Sequence, residues 1–314
     1  MKQDSLAYAA ELLLCCLAIA PPGIAQTTPA PDKPTQTPTL QITTNLVAVS
    51  AIVRDQSGAP IANLTPADLL LKEDGKPQTI RYFSQGSSLP LTLALMVDTS
   101  GSQRAYIRDE IAAGKAFFPA MLTRPTDRAV LVQFDSSIVQ LAHLTNSVPT
   151  LEHALAYLTQ SHNDLNAYST GGGTLLFDAI CAVSHIDLGN QIGRRAMVIL
   201  TDGGDNGSTF DQKQAIEAAQ RANFTIYSVY YSDGGGDIDA LTKISNATGG
   251  RVFTVSSKMT LQKIFTEIAA DMRLEYEIGY VPPKSKPGKH HKIALTATNK
   301  SYTVQAREGY FTPK

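Results

Sequence analysis

The pattern of apolar and polar positions changes twice along the chain and predicts two kinds of structure. From 42 to 85 apolar and polar residues alternate, as in strands with one buried face. Between 90 and 274 continuous apolar runs alternate with segments of helical spacing, which is typical of a parallel sheet covered by helices. From 275 to 314 the period of two returns. We therefore expect an α/β protein with an open, doubly wound, mostly parallel sheet and flanking β segments.

The central segment supplies candidate strands and helices in alternation. Strands are expected at 91–97, 129–134, 138–144, 196–201, 224–231 and 251–255. After a first helical stretch near 107–118, further helices are expected at 148–159, 174–187, 211–222, 237–247 and 258–273. Only three residues separate the second strand from the third, which is too short for a crossover helix. That pair is therefore expected to be an antiparallel hairpin at a sheet edge.

The two flanking β segments, 41–88 and 275–314, are each close to the size below which a single layer rarely folds alone. Within the first, Asp74-Gly75 is a hairpin signal, with 78–83 as the expected partner strand. We expect both segments to form one small sandwich into which the α/β domain, 90–274, is inserted. The alternative is two independent extensions lying on that domain.

The N-terminal 40 residues do not resemble either part. Residues 1–25 combine Lys2, a short apolar run and small residues near position 25, which indicates a signal peptide. A buried N-terminal helix is the alternative. Residues 26–40 are rich in Pro and Thr and predict an extended linker. Because no other apolar stretch is long enough to span a bilayer, the mature chain is expected to be exported, without a transmembrane segment.

Charge and cysteine content narrow the classes of function. The chain has 27 basic and 28 acidic residues, and removal of 1–25 leaves 26 of each. This balance argues against a nucleic-acid-binding protein. Cys181 is the one cysteine after residue 25, so neither an intrachain disulfide nor a cysteine-based metal site is expected. With 43% apolar residues, the chain can rely on a buried core instead.

Three polar loops carry the candidate chemistry. They cover 97–102, 169–174 and 200–204, and each follows a predicted strand or precedes a predicted helix. In open α/β sheets such loops meet at the carboxyl edge of the strands. Together they offer two carboxylates and several Ser and Thr hydroxyls but no His or Cys. This set favours a hard cation such as Mg²⁺ and disfavours zinc.

Five residues of these loops occur in a distinctive order: Asp98, Ser100, Ser102, Thr174 and Asp202. Each alone also suits a turn or a helix cap. Together they resemble the metal-ion-dependent adhesion site of von Willebrand factor A (VWA) domains, over about 90–274. The resemblance implies Mg²⁺ or Mn²⁺ coordinated by the three hydroxyls, with both aspartates bound directly or through water. It also implies that an acidic partner residue completes the shell.

The flanks add a narrower resemblance. Glu73-Asp74-Gly75-Lys76-Pro77-Gln78 and Gly309-Tyr310-Phe311 are similar to segments of VWA-related secreted proteins of Acidobacteria. The individual functions of those proteins are largely unassigned, so this likeness implies no mechanism.

We expect metal-dependent binding of a protein or matrix partner through its Asp or Glu carboxylate, without enzymatic turnover. Loops around the site would set specificity, with these candidate contacts: Gln103, Arg104, Tyr168, Asp205 and Asn206. One alternative is a Mg²⁺-dependent phosphoryl or ester hydrolase, for which the sequence offers no convincing base near the metal. Another is an envelope-assembly component in which the metal only stabilises the loops.

Overall fold

The structure is a computed structural model that describes residues 46–86, 89–160, 173–186, 193–231 and 235–313. The predicted signal peptide, 1–25, and linker, 26–40, lie outside the described residues. Among the helices that are described, none combines the length and the apolar character needed to cross a membrane.

The described residues form fourteen strands and seven α-helices. The strands are β1 Val47–Arg54, β2 Leu69–Glu73, β3 Lys76–Gln78, β4 Tyr82–Gln85, β5 Leu91–Asp98, β6 Arg128–Phe134, β7 Ile138–Thr145, β8 Arg194–Thr201, β9 Phe224–Tyr230, β10 Val252–Thr254, β11 Tyr276–Tyr280, β12 His290–Ala297, β13 Thr303–Ala306 and β14 Gly309–Phe311. The helices are α1 Ile107–Met121, α2 Val148–Leu155, α3 Tyr157–Gln160, α4 Leu176–Ser184, α5 Gln212–Arg221, α6 Ile238–Thr248 and α7 Leu261–Leu274. Short 3-10 helices cover Pro66–Asp68 and Gly101–Gln103.

The central sheet has the strand order β10-β9-β8-β5-β6-β7. All pairs are parallel except β6 with β7, the hairpin that the short loop predicted at the sheet edge. Every residue of β5 is buried because helices cover both faces of the sheet. Helices α1, α2 and α7 pack on one face, and α4, α5 and α6 on the other. This arrangement confirms the expected α/β fold class.

The flanking segments form two four-stranded antiparallel sheets, with strand orders β13-β1-β11-β4 and β14-β12-β2-β3. Each sheet contains strands from both ends of the chain. Alternating apolar side chains of the two sheets share one core, which is formed by Val49, Ala51, Val53, Leu69, Leu71, Tyr276, Ile278, Tyr280, Ile293, Leu295 and Tyr310.

The sequence prediction for 78–83 was wrong. The partner of β2 is β3, joined by a turn in which Asp74 and Gly75 have φ values of 47° and 80°. The chain then leaves this sheet, and β4 pairs with β11 in the other one. Alternation with a period of two predicts a strand but does not tell which of two facing sheets the strand joins.

Two helices also differ from the prediction. The segment expected at 148–159 is divided into α2 and α3 at Ala156, whose backbone is in the C-cap position of α2. The helix expected at 174–187 begins at Leu176, so Thr174 lies in the preceding loop. That loop position leaves the Thr174 backbone available for contacts with neighbouring loops.

Candidate metal-binding edge

The centre of the candidate site is the pair of neighbouring strands β5 and β8, whose last residues are Asp98 and Thr201. The carboxylate of Asp98 is completely buried. Its Oδ2 accepts a hydrogen bond of 2.6 Å from the Thr201 hydroxyl, and its Oδ1 accepts one of 2.9 Å from the backbone N–H of Ser100. Both carboxylate oxygens are therefore held in place by the ends of adjacent strands.

Next to Asp98 lies a row of oxygens from two loops. Ser100 Oγ is 3.2 Å from Ser102 Oγ, and the Ser102 hydroxyl donates to Asp202 Oδ2 over 2.7 Å. The other oxygen of Asp202 accepts from the backbone N–H of Gly204 over 2.9 Å. Ser100 occupies the N-cap position of the 3-10 helix Gly101–Gln103, but its hydroxyl makes no capping hydrogen bond. That hydroxyl is available to the row instead.

Thr174 is joined to this group through the loop that follows Asp202. Its backbone N–H donates to Asn206 Oδ1 over 2.6 Å, and its carbonyl accepts from the Asn206 backbone over 3.2 Å. The side chain is 8% exposed. Hydrogen bonds thus connect Asp98, Ser100, Ser102 and Asp202 directly or through neighbours, and they connect Thr174 to the Asp202 loop through its backbone.

The residues expected to contact a partner have different surroundings. Gln103 is 1% exposed, so its side chain does not face a partner in this structure, contrary to the expectation. Asp205 accepts from the Phe177 backbone and the Ser208 hydroxyl, and Asn206 holds Thr174. These two side chains therefore link loops together. Arg104 is exposed, and Tyr168 lies outside the described residues.

The electrostatics of the site favour a cation. Burial raises the pKa of Asp98 to about 6, although hydrogen bonds from Thr201 and Ser100 oppose the rise, and the charge of Asp202 adds to it. In the described part of the chain, no Lys or Arg side chain forms an ion pair with either aspartate. Among the described residues, the two carboxylates thus lie near one another without a positively charged ion-pair partner, which is costly unless a cation compensates them.

The spacing of the oxygens also fits such a cation. Octahedral coordination at about 2.0–2.1 Å places neighbouring ligand oxygens about 2.9 Å apart. The two contacts along the row, 3.2 Å between the serine hydroxyls and 2.7 Å from Ser102 to Asp202, are close to that value. All donors are oxygens, as Mg²⁺ and Mn²⁺ prefer. The residues present therefore fit a hard divalent cation.

The sequence analysis missed one support of the site, Thr201, and one buried acid near it, Glu110. Thr201 ends an apolar strand and directly precedes Asp202, but its hydroxyl was not singled out. Glu110 on α1 is 1% exposed, and neither of its carboxylate oxygens has a hydrogen-bond partner in the part of the chain that the structure describes. Burial raises its pKa well above the usual value, and the charge of Asp98 adds to the effect. The available signal for Glu110 was its place on the apolar face of the predicted helix, three residues after Ile107 and seven before Phe117.

Comparison with known proteins gives one family match. Residues 93–204 match the family model described as von Willebrand factor type A domain. The match runs from β5 to the loop after β8 and includes every candidate metal ligand. No curated protein matches the sequence significantly.

Similar folds occur among solved structures. A von Willebrand factor type A protein from Catenulispora acidiphila is 14% identical, with 87% of this chain and 76% of that chain covered and a TM-score of 0.49. The vWF domain of the type V pili tip protein Mfa5 from Porphyromonas gingivalis is 14% identical, with 59% and 95% covered and a TM-score of 0.44. At such low identity neither likeness bears on function. The family match and the strand order together show that residues 93–204 are similar to a von Willebrand factor type A domain and lie on an open, mostly parallel α/β sheet.

Proposed function

We propose that this protein binds a protein or matrix partner through a divalent cation held at the carboxyl edge of its VWA domain. The observation that carries the proposal is the hydrogen-bonded row formed by Ser100, Ser102 and Asp202 beside the buried carboxylate of Asp98. These residues and Thr174 would hold Mg²⁺ or Mn²⁺. When bound, the cation would supply a position for an Asp or Glu carboxylate of the partner.

The chain's own contribution is a rigid set of oxygens. Asp98 is fixed by Thr201, and Asp202 is fixed by Gly204 and Ser102. Asn206 keeps the Thr174 loop next to the Asp202 loop. Preorganised donors reduce the ordering cost of binding, so the partner carboxylate can contribute more of its interaction energy to affinity.

The family match over residues 93–204 supports this proposal, because VWA domains commonly mediate protein–protein interactions. The predicted signal peptide, 1–25, is the reason to expect that the protein acts outside the cytoplasm. The narrower likeness to secreted proteins of Acidobacteria remains a prediction.

The experiment is a binding assay in which the purified protein is presented to immobilised matrix proteins and acidic peptides, in Mg²⁺ and in EDTA. The test variant is Ser102→Ala, because Ser102 is exposed and its loss should not affect folding. The control is Ser301→Ala, which removes a serine hydroxyl bound to Asn299 in a turn of the sandwich.

We expect the protein to bind in Mg²⁺ and to lose this binding in EDTA. Ser102→Ala should weaken the binding, and Ser301→Ala should not. Binding that is equal in Mg²⁺ and EDTA would contradict the proposal. If the metal raises the stability of wild type and Ser301→Ala but neither protein binds any of the immobilised ligands, the metal has a purely structural role instead.

A further inference from the structure

A second group of convergent side chains lies in the β sandwich, on the paired strands β2 and β12. His291 Nδ1 is 3.1 Å from Glu73 Oε1 and 2.9 Å from Asp74 Oδ2. The side chains of His291 and Glu73 are buried, whereas that of Asp74 is 41% exposed. One imidazole nitrogen therefore faces two carboxylates, and the group is accessible to solvent from the Asp74 side.

The second polar atom of each of these three side chains makes a hydrogen bond to another residue. The contacts are a hydrogen bond of 2.6 Å from the Tyr280 hydroxyl to Glu73 Oε2, one of 2.9 Å from the Lys292 backbone N–H to Asp74 Oδ1, and one of 2.7 Å between Ser285 Oγ and His291 Nε2. Such outer contacts orient metal ligands in known sites. Here they leave one nitrogen and two oxygens directed at one another.

The hydrogen bonds within the group do not satisfy both carboxylates. A neutral imidazole donates one N–H from Nδ1, which cannot serve two carboxylate oxygens fully. Across the part of the chain that the structure describes, no Lys or Arg side chain forms an ion pair with Glu73 or Asp74.

We propose that Glu73, Asp74 and His291 bind a divalent transition-metal ion, for which Zn²⁺ is the best match. Zinc accepts imidazole and carboxylate ligands at about 2.0–2.2 Å, and tetrahedral geometry then separates the ligand atoms by about 3.3 Å. The nitrogen–oxygen distances of 3.1 Å and 2.9 Å need to open by only a few tenths of an ångström. This donor set differs from the oxygen-only edge of the VWA domain, which suits harder cations.

The same side chains also suggest an alternative, a serine activated by a histidine and a carboxylate. Ser285, His291 and Asp74 follow the order of an activated serine, in which Nδ1 keeps its proton and Nε2 accepts from the hydroxyl. A metal ion on Nδ1 displaces that proton and turns Nε2 into a donor, so the two arrangements exclude each other. The second carboxylate, from Glu73, favours the metal because a serine relay uses only one.

The test is calorimetric titration of the purified protein with Zn²⁺ while excess Mg²⁺ is present. Asp74→Asn removes one charged ligand, and asparagine tolerates the positive φ of 47° at this turn. Asp55→Asn is the matched control, since Asp55 is a turn aspartate of the same sandwich that bonds Ser57. Asp98→Ala is included so that failure of the VWA edge and failure of this site can be told apart.

We expect one Zn²⁺ per chain in wild type, Asp55→Asn and Asp98→Ala, and binding at least about tenfold weaker in Asp74→Asn. Absence of zinc binding in wild type, or equal binding in Asp74→Asn, would overturn the proposal. A fluorophosphonate probe that labels Ser285 regardless of Zn²⁺, and does not label Ser285→Ala, would also overturn the proposal. An activated serine needs the proton on His291 Nδ1, which a bound metal ion would displace.

Discussion

Replacing Thr201 by valine removes one hydroxyl group and leaves the shape of the side chain almost unchanged. In the structure this hydroxyl donates to Asp98 Oδ2 over 2.6 Å and accepts from the backbone N–H of Gly203 over 3.0 Å. The residue is completely buried, so water cannot take over either contact. Thr201→Val therefore leaves a buried carboxylate and a buried amide each short of one partner.

The expected loss follows from these two contacts. A hydrogen bond to a charged group contributes about 1.5–3 kcal/mol, and a buried amide without an acceptor costs about 1–3 kcal/mol. We expect Thr201→Val to lower the free energy of unfolding by about 3 kcal/mol. Because the Thr201 hydrogen bond lowers the pKa of Asp98, its loss should also raise that pKa above about 6 and weaken Mg²⁺ binding, most strongly below neutral pH.

The assay is urea unfolding followed by circular dichroism, with Thr225→Val as the control. Thr225 is a half-buried threonine of the adjacent strand β9, and its hydroxyl makes no hydrogen bond to any residue that the structure describes. The control should stay within about 0.5 kcal/mol of wild type. If Thr201→Val unfolds at the wild-type midpoint, or if both variants lose the same stability, the hydroxyl does not support Asp98 as argued.

Three further perturbations test other parts of the structure. Gly236 and Gly58 have φ values of 87° and 83°, but of the two only Gly236 is so placed that an added β-carbon would collide with a backbone carbonyl, that of Asp202. In urea unfolding, we expect Gly58→Ala to lower the free energy of unfolding by about 1 kcal/mol. Gly236→Ala should lower it clearly more and should also abolish the stabilisation by Mg²⁺. Burial raises the pKa of Glu275 above its usual value of 4.5. The protonated side chain therefore contributes its full stability below pH 4.5, and this stability is lost as the pH rises through the raised pKa. Glu275→Gln should flatten the pH dependence of the melting temperature, and an unchanged slope would contradict this pKa shift. Arg54→Met removes a 2.6 Å ion pair with Asp271, a buried carboxylate of α7 that keeps Arg251 as a second partner at 3.1 Å. We expect a loss of about 1–3 kcal/mol by urea unfolding. A loss within about 0.5 kcal/mol of zero would show that the pair does not join the sandwich to that helix.

Much of the fold could be predicted because burial leaves a direct pattern in the sequence. The apolar run at 91–97 marks a strand covered on both faces, and the short gap after Phe134 excludes a crossover helix. The passage of the chain from β3 to β4 could not be predicted, since residues that alternate in the same way can pair with either sheet of a sandwich. Only the hydrogen-bond partners, and not the side-chain pattern, distinguish the two sheets.

In the candidate site, too, some contacts could be predicted from the sequence and others could not. The residue types at the ends of β5 and β8 predicted which side chains meet there, because neighbouring parallel strands end at one edge. The contact between Asn206 and Thr174, 32 residues apart, depends on how two loops approach each other. The contact between Asp74 and His291 spans 217 residues. No local pattern reports either contact, so the sequence pointed to a partner-binding role for Asn206 and gave His291 no role.

The most direct test of the account is whether a divalent cation stabilises the protein through Asp98. We would measure thermal unfolding of wild type and Asp98→Ala in EDTA, Mg²⁺, Mn²⁺ and Ca²⁺. Binding to the native state alone adds about 2.7 kcal/mol at a hundredfold excess over Kd, which raises the melting temperature by a few degrees. The account predicts this rise with Mg²⁺ or Mn²⁺ in wild type and its absence in Asp98→Ala. An equal rise in both proteins would contradict a metal site built on Asp98.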